Sequence, residues 1–236
     1  MATTLDGGAA AGLPKAPSGL TTCQYILFLA QQQLTDETGQ TYNDSNLIPY
    51  INLGINEIIS LKPEANSQIV TGTLIAGSKQ VADTVFGVAV IDILNVDCNM
   101  DSNGNRGRAI HDFPKIQMDA LVPDWNTYDA SDVIRYAIMD SVDPRNFYVF
   151  PPSKAGNKIS ALLSVLPDAI TDSLIADFPL DDSYMPALVD YVVGRAMMEE
   201  TSIPNAQAKG QVFMKKFMTD LGIKTQIEEK TKKETQ

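Results

Sequence analysis

A short run of oxygen-bearing residues, Asn99 to Gly104, is the part of the sequence that most suggests chemistry. Oxygen side chains at alternating positions, followed by glycine at the sixth, are typical of the start of a calcium-binding loop. Such a loop closes with a bidentate glutamate at position twelve, where this chain has Ile110. A turn built from Asn, Asp and Gly explains the same residues. The sequence therefore predicts a turn here and no metal ligands.

The single histidine, His111, is the residue on which most catalytic arrangements would depend. A Ser-His-Asp or Cys-His site would have to use it, and a zinc site would need it together with two scattered cysteines. No serine lies in a G-x-S-x-G motif, and neither Cys23 nor Cys98 lies in a nucleophile signature. We therefore predict no catalytic, cofactor-binding or metal-binding residues, and we expect both cysteines to be reduced and buried.

Acidic residues are numerous, and the 29 Asp and Glu side chains leave a two-carboxylate hydrolase open as a hypothesis. No pair among them stands out as catalytic. Asp181 and Asp182 are explained by capping a helix and by their favourable interaction with its dipole. Glu199 and Glu200 are explained by the solvated end of a helix.

Trp125 and Arg195 could each serve a partner, although a structural role is the simpler interpretation. A lone tryptophan more often fixes a loop to the core than it binds a ligand. Arg195 lies on or beside the buried stripe of a predicted helix, and Glu199, one turn later, is the carboxylate expected to pair with it.

The charge of the chain limits the kind of partner that it can hold. Its 236 residues carry a formal net charge of −11, whereas a protein that grips nucleic acid needs a basic surface. An acidic surface suits a protein past which DNA slides without binding, and equally a merely soluble protein. No apolar run approaches the ~18 residues of a membrane helix, so we expect no membrane contact.

Apolar periodicity predicts helices within 21–62 and 180–222. In the second helix of the first range, the apolar residues Leu47, Ile51, Ile55 and Ile58 recur at steps of four, four and three, which places them on one face. The last helix follows Pro204 and is expected to end with Gly222 as its C-terminal cap.

The middle of the chain, 68–170, contains short runs rich in Val and Ile that are separated by Gly, Asn, Asp and Pro. These runs predict strands at 69–75, 85–96, 133–139, 147–150 and 159–166, the fourth of them stopped by Pro151 and Pro152. Because no β-α-β alternation is present, a parallel nucleotide-binding sheet is not expected.

The order of these elements predicts an α+β fold, in which a helical bundle formed by the N- and C-terminal helices carries an inserted antiparallel β domain. The folded part is expected to span 21–222. A flexible arm, 1–20, precedes it, and this arm lacks the early basic and apolar regions of an export signal. A charged and flexible tail, 223–236, follows it and cannot bury a core.

Several strings in this order resemble the head–tail adaptor, or connector, proteins of tailed bacteriophages. The resemblance runs from about Leu47 to Gly222, and Pro49 and Pro186 depart from the family pattern. The strings that carry it are Leu47-Ile48-Pro49-Tyr50-Ile51-Asn52, Pro63-Glu64-Ala65, Gly72-Thr73, Lys79-Gln80, Gly107-Arg108-Ala109-Ile110, Asp119-Ala120-Leu121-Val122-Pro123-Asp124-Trp125, Asp143-Pro144-Arg145-Asn146-Phe147-Tyr148-Val149-Phe150-Pro151-Pro152, and the helix with Tyr184, Ala187, Leu188, Tyr191, Arg195, Ala196 and Glu199 or Glu200.

The resemblance implies a structural protein of the virion neck, assembled from copies made in the host cytoplasm. It implies a ring of twelve copies that joins the portal protein to a tail nozzle or tail-tube protein. Double-stranded DNA would pass through the ring without specific binding. Another virion structural protein, such as a head-closure, tail or decoration subunit, is the alternative, and a carboxylate hydrolase is a more distant one.

Portal contact is expected from the C-terminal tail, because that segment is charged and has no role in a core. The residues expected to make it are Lys224, Glu228, Glu229, Lys230, Lys232 and Lys233.

Overall fold

The computed structural model describes residues 20–36, 39–139, 143, 145–172, 177–201 and 203–234, the last twelve of them by their backbone alone. The chain divides into two compact units, Met1–Ile58 with Asp168–Gln236, and Ile59–Pro167. Apart from Leu20, the arm expected at 1–20 lies outside the described residues.

Two helices open the first unit, α1 (Thr22–Gln33) and α2 (Asp44–Leu61), and α2 ends among the residues of the second unit. Helix α1 begins with a capping box, in which the Thr21 hydroxyl accepts from the Gln24 amide and the Gln24 side chain accepts from the Thr21 amide. Helix α2 ends two residues before Pro63, as predicted, and its four periodic apolar residues are all buried.

Helices α5 (Met185–Glu199) and α6 (Ala206–Glu234) complete the first unit. Asp181 caps the 3-10 turn Asp182–Tyr184 that leads into α5, as expected, by accepting from the Ser183 amide. Helix α5 packs against α1 and α6. Its crossing with α6 is formed by two glycines, since a Cβ on Gly210 would lie 2.8 Å from the Gly194 carbonyl oxygen. The two backbones are therefore close together at this crossing, because neither glycine has a side chain to separate them.

Helix α6 does not end at Gly222, and the predicted C-terminal cap is wrong. The backbone remains helical through Gly222 to Glu234. A helix that stops at glycine usually places it in the left-handed region, but Gly222 does not adopt a positive φ. No proline follows it, and the Lys, Gln and Glu residues of the tail favour the helix. The flexibility of this segment stays a prediction.

Two four-stranded sheets build the second unit. The first sheet has the strand order β1-β8-β3-β4, with β1 (Ser67–Thr73), β3 (Val90–Met100), β4 (Arg106–Ala109) and β8 (Lys158–Val165). The second has the order β2-β7-β6-β5, with β2 (Gly77–Val81), β5 (His111–Pro114), β6 (Tyr136–Met139) and β7 (Asn146–Ser153). All neighbouring strands are antiparallel except β5 and β6.

Apolar side chains from both sheets share one core with the short helix α3 (Ala82–Phe86). Gly72 of β1 leaves room for it, because a Cβ there would lie 2.5 Å from the Phe86 ring. The other fully buried members are Val96, Ile134, Ala137, Phe147, Val149, Ile159, Ala161 and Leu163. The predicted α+β fold class is confirmed.

The strand predictions differ from the structure in three places. The run predicted at 85–96 begins as α3, and its strand starts only at Val90 because Gly87, at φ +70, ends the helix. Strand β7 passes through the two prolines that were expected to stop it, since the Pro152 carbonyl still accepts from the Ser131 amide. The short strands β2, β4 and β5, which carry charged residues, were not predicted.

Candidate interaction surfaces

The residues with catalytic potential lie apart from one another. His111 is exposed on β5, with its ring 6.4 Å from that of Tyr136. Cys23 and Cys98 are free and buried, as predicted, and they lie in different units. Burial raises the pKa of the Cys23 thiol to about 11. Within the described ranges, no three His, Cys, Asp or Glu side chains are grouped so that they could hold a metal ion.

A turn follows strand β3, as predicted, although Asn99 and Met100 themselves still belong to the strand. The Asp101 carboxylate accepts from the Asn103 and Asn105 amides and from the Asn105 side chain, and these hydrogen bonds lower its pKa. Asn99 points away from the turn into the core, where its side-chain amide bonds both backbone groups of Ile134. Its oxygen, the first ligand that a calcium loop would need, is already used.

Trp125 is a core residue that fixes a helix with an exposed apolar face. Its indole is buried, donates to the Asp119 carboxylate at 2.8 Å and packs edge-on against Tyr148. Asp119 belongs to α4 (Lys115–Leu121), a helix that the sequence did not predict. Helix α4 exposes Ile116 at 79% and Leu121 at 71%. These two exposed apolar side chains make α4 a candidate interaction surface.

Two tyrosines bind the acidic end of α5, which the sequence analysis assigned to solvent. The Tyr50 hydroxyl donates to Glu199 at 2.6 Å, and the Tyr42 hydroxyl donates to Glu200 at 3.2 Å. Arg195 lies 3.7 Å from Glu199, so the predicted ion pair is present. Burial, followed by the hydrogen bond to Glu199, raises the pKa of Tyr50 to about 12. This end of α5 is therefore bonded to α2 and to the loop that precedes it.

We expect Tyr50→Phe to lower the free energy of unfolding by about 1 kcal/mol, because one hydrogen bond to a charged acceptor is lost while the ring remains. Urea denaturation of the two proteins would measure the difference. Tyr25→Phe on α1 is the matched control and should change stability by less than about 0.5 kcal/mol. Equal effects of the two substitutions would contradict a specific role for Tyr50.

A buried carboxylate joins α5 to α6. Asp190 is 1% exposed, and the half-exposed Lys216 approaches it at 2.7 Å to Oδ2 and 3.0 Å to Oδ1. Burial raises the pKa of Asp190, and the lysine acts in the opposite direction. The pair is therefore a structural contact between helices, made at the cost of desolvating one charge.

The outer face of α6, opposite its buried stripe, combines apolar and basic residues. Val212 is 67% exposed and Met218 is 50% exposed, and Lys215 lies on the same face of the helix. The whole helix carries seven lysines and four acidic residues, a formal +3, which leaves −14 for the rest of the chain. Exposed apolar side chains and a lysine therefore lie together on this face.

A hollow of about 310 Å³ lies in the first unit beside the loop between α1 and α2. Its lining mixes apolar and polar residues, with Leu34, Met197 and Ile203 beside Asp36 and Lys209. Asp36 accepts three backbone N–H groups from the loop, which lower its pKa. The carboxylate therefore holds the loop in shape.

The residues expected to contact a portal all fall on the last three turns of α6. Their backbone is helical, and their side chains lie outside the described part of the structure. Contact with a portal thus remains a prediction for Lys224, Glu228, Glu229, Lys230, Lys232 and Lys233. In the described residues, no helix combines the length and the hydropathy needed to cross a membrane.

Comparison of the sequence with known proteins identifies the family of the chain. No curated protein matches it significantly. The family model described as SU10 adaptor protein matches residues 24–234, which include every helix and strand described above apart from the first two residues of α1. With nearly all of its length matched, the chain belongs to the SU10 adaptor protein family.

Proposed function

We propose that the chain is a head–tail adaptor of a tailed phage, which assembles into a ring of twelve copies between the portal and the tail. The observation that carries this proposal is the family match over residues 24–234. A phage adaptor is a structural virion component. Beyond this structural role, we propose that the copies form a ring, that the ring has twelve of them, and that it lies in the virion neck.

The exposed apolar faces support a protein that works through contacts with other chains. Helix α4 exposes Ile116 and Leu121 although Trp125 and Asp119 hold it firmly in place. Helix α6 exposes Val212 and Met218 beside lysines. Such faces are costly in water and are retained where a partner covers them. We assign them to contacts with neighbouring copies and with the portal or the tail.

The charge of the chain supports a role around DNA without binding to it. A formal −11 on each copy would repel phosphates from a channel if the acidic residues line it. The basic residues concentrate on α6, which we place away from the channel, toward protein partners. The genome would then pass through the ring without specific contacts.

The mass of the full-length chain, alone and mixed with the portal protein of the same virus, tests the proposal. Light scattering or native mass spectrometry should show a ring, or a stoichiometric complex with the portal. A chain that stays monomeric and ignores the portal would overturn the proposal and favour a head-closure, tail or decoration subunit. His111→Ala is the control, because an adaptor should assemble normally without its histidine.

A further inference from the structure

The four edge strands of the two sheets differ in how they are protected against pairing with another strand. Native proteins protect sheet edges with charges, prolines, bulges or short strands. Strand β4 is four residues long and carries Arg106 and Arg108, and β5 is as short and carries Asp112 and Pro114. Strand β2 carries Lys79 and a shift in its register. Three of the four edge strands therefore carry a recognisable feature that prevents pairing with another strand.

The fourth edge, β1, has none of these features. Its seven residues, Ser67–Thr73, include no charge and no proline, and its register with β8 continues without a shift. Ile69 on this strand is 79% exposed. Among the described residues, no strand lies on the other side of β1. A long, regular and uncharged edge of this kind is a template for another strand.

The register shows which backbone groups of β1 are directed outward. The Leu74 amide donates to the Asn157 carbonyl, next to the Thr73–Lys158 pair of the β1–β8 ladder. Because antiparallel pairs alternate, Ile69 and Thr71 direct their N–H and C=O groups away from β8. Their side chains are also exposed, so an incoming segment would meet both donors and acceptors and an apolar side chain.

We propose that β1 takes up an extended segment by strand addition, and that this segment is the N-terminal arm, Met1–Gly19, of a second copy. The arm precedes Leu20, the first described residue, and its 19 residues exceed the seven of β1. It carries only Asp6 and Lys15 as charged side chains, and its first five residues carry none. An uncharged segment matches an uncharged edge, whereas the C-terminal residues are highly charged. The inference rests on the self-assembly in the proposed function.

Cross-linking between two full-length variants tests this proposal. Thr4→Cys chains are mixed with Thr71→Cys chains and treated with a short bis-maleimide, and the heterodimers are counted by mass spectrometry. Both native cysteines are buried, so they should react slowly. Strand addition should give about tenfold more heterodimer than the control pair of Thr4→Cys with Val81→Cys, because it raises the local concentration of the arm at β1. Val81 is an exposed residue on the blocked edge β2.

A second comparison tests the chemistry of the edge. Adding Ile69→Lys to the Thr71→Cys chain should reduce the heterodimer yield to that of the control pair, because the lysine supplies the charge that β1 lacks. Ile69 is exposed, so the substitution leaves the core intact. Adding Val81→Lys to the same chain makes the same change of charge on β2 and should leave the yield unchanged.

The outcomes separate this inference from the proposed function. Equal yields for the Thr71→Cys and Val81→Cys pairs, or cross-links only between two Thr71→Cys chains, would overturn the arm as the occupant of β1. The mass of each mixture, measured in parallel, reports on the ring. A ring without enriched cross-links refutes the strand addition alone, whereas a persistent monomer that ignores the portal refutes the proposed function.

Discussion

Replacing Phe217 by alanine is expected to lower the free energy of unfolding by about 4 kcal/mol. Phe217 is the largest buried side chain of α6, and its ring lies 5.0 Å from that of Tyr191 on α5. Alanine would leave a cavity between α5 and α6, and the close approach of Gly194 and Gly210 elsewhere in the same helix pair limits how far the two helices can move together to fill it. Urea unfolding followed by far-ultraviolet circular dichroism would measure the loss.

Phe28→Ala on α1 is the matched control for this prediction. Phe28 is 45% exposed, so the same deletion should cost less than about 1 kcal/mol. If the two variants lost equal stability, α6 would not be part of the core of its unit.

Lys216→Met is expected to destabilise the protein by about 3 kcal/mol at neutral pH, because it leaves the buried Asp190 carboxylate without its lysine partner. The folded pKa of Asp190 lies above the ordinary value of 3.8, chiefly through burial, and it should rise further without the lysine. A raised pKa means that the folded state binds the proton more tightly than the unfolded state. Stability should therefore fall as the pH rises from 3.8 through the folded pKa.

Unfolding at two pH values distinguishes this electrostatic effect from a loss of packing. The loss caused by Lys216→Met should be smaller at pH 4 than at pH 7, because protonation neutralises Asp190. Adding Asp190→Asn to the same chain should restore most of the lost stability, since an amide costs less to bury than a carboxylate. An equal loss at both pH values, or no rescue, would contradict the account.

Long amphipathic elements were predictable from the sequence, and short ones were not. The buried face of α2 follows from the steps between Leu47, Ile51 and Ile55, because a helix of 18 residues repeats its pattern several times. Helix α4 has seven residues and a single buried one, Met118, so it shows no period. Strand β4 has four exposed residues and is recognisable only through its pairing with β3.

Contacts between residues far apart in the chain could not be predicted from the sequence for a different reason. Glu199 and Glu200 look like a solvated helix end, because their tyrosine partners lie 149 and 158 residues earlier in the chain. Asp190 could have been predicted as a buried carboxylate, since it interrupts the apolar run in the sequence between Val189 and Tyr191. The unprotected edge of β1 depends on strand order, which the sequence alone does not reveal.

The glycine crossing between α5 and α6 also determines where the C-terminal residues are carried. Because a Cβ on Gly210 would lie 2.8 Å from the Gly194 carbonyl oxygen, any larger residue at Gly210 would push α6 away from α5. Beyond Gly222 the helix continues for twelve residues, about 18 Å at 1.5 Å per residue. The two glycines thus help to set the direction of the lysine-rich C-terminal end of α6. A substitution at Gly210 would change that direction without altering any residue at the C-terminal end.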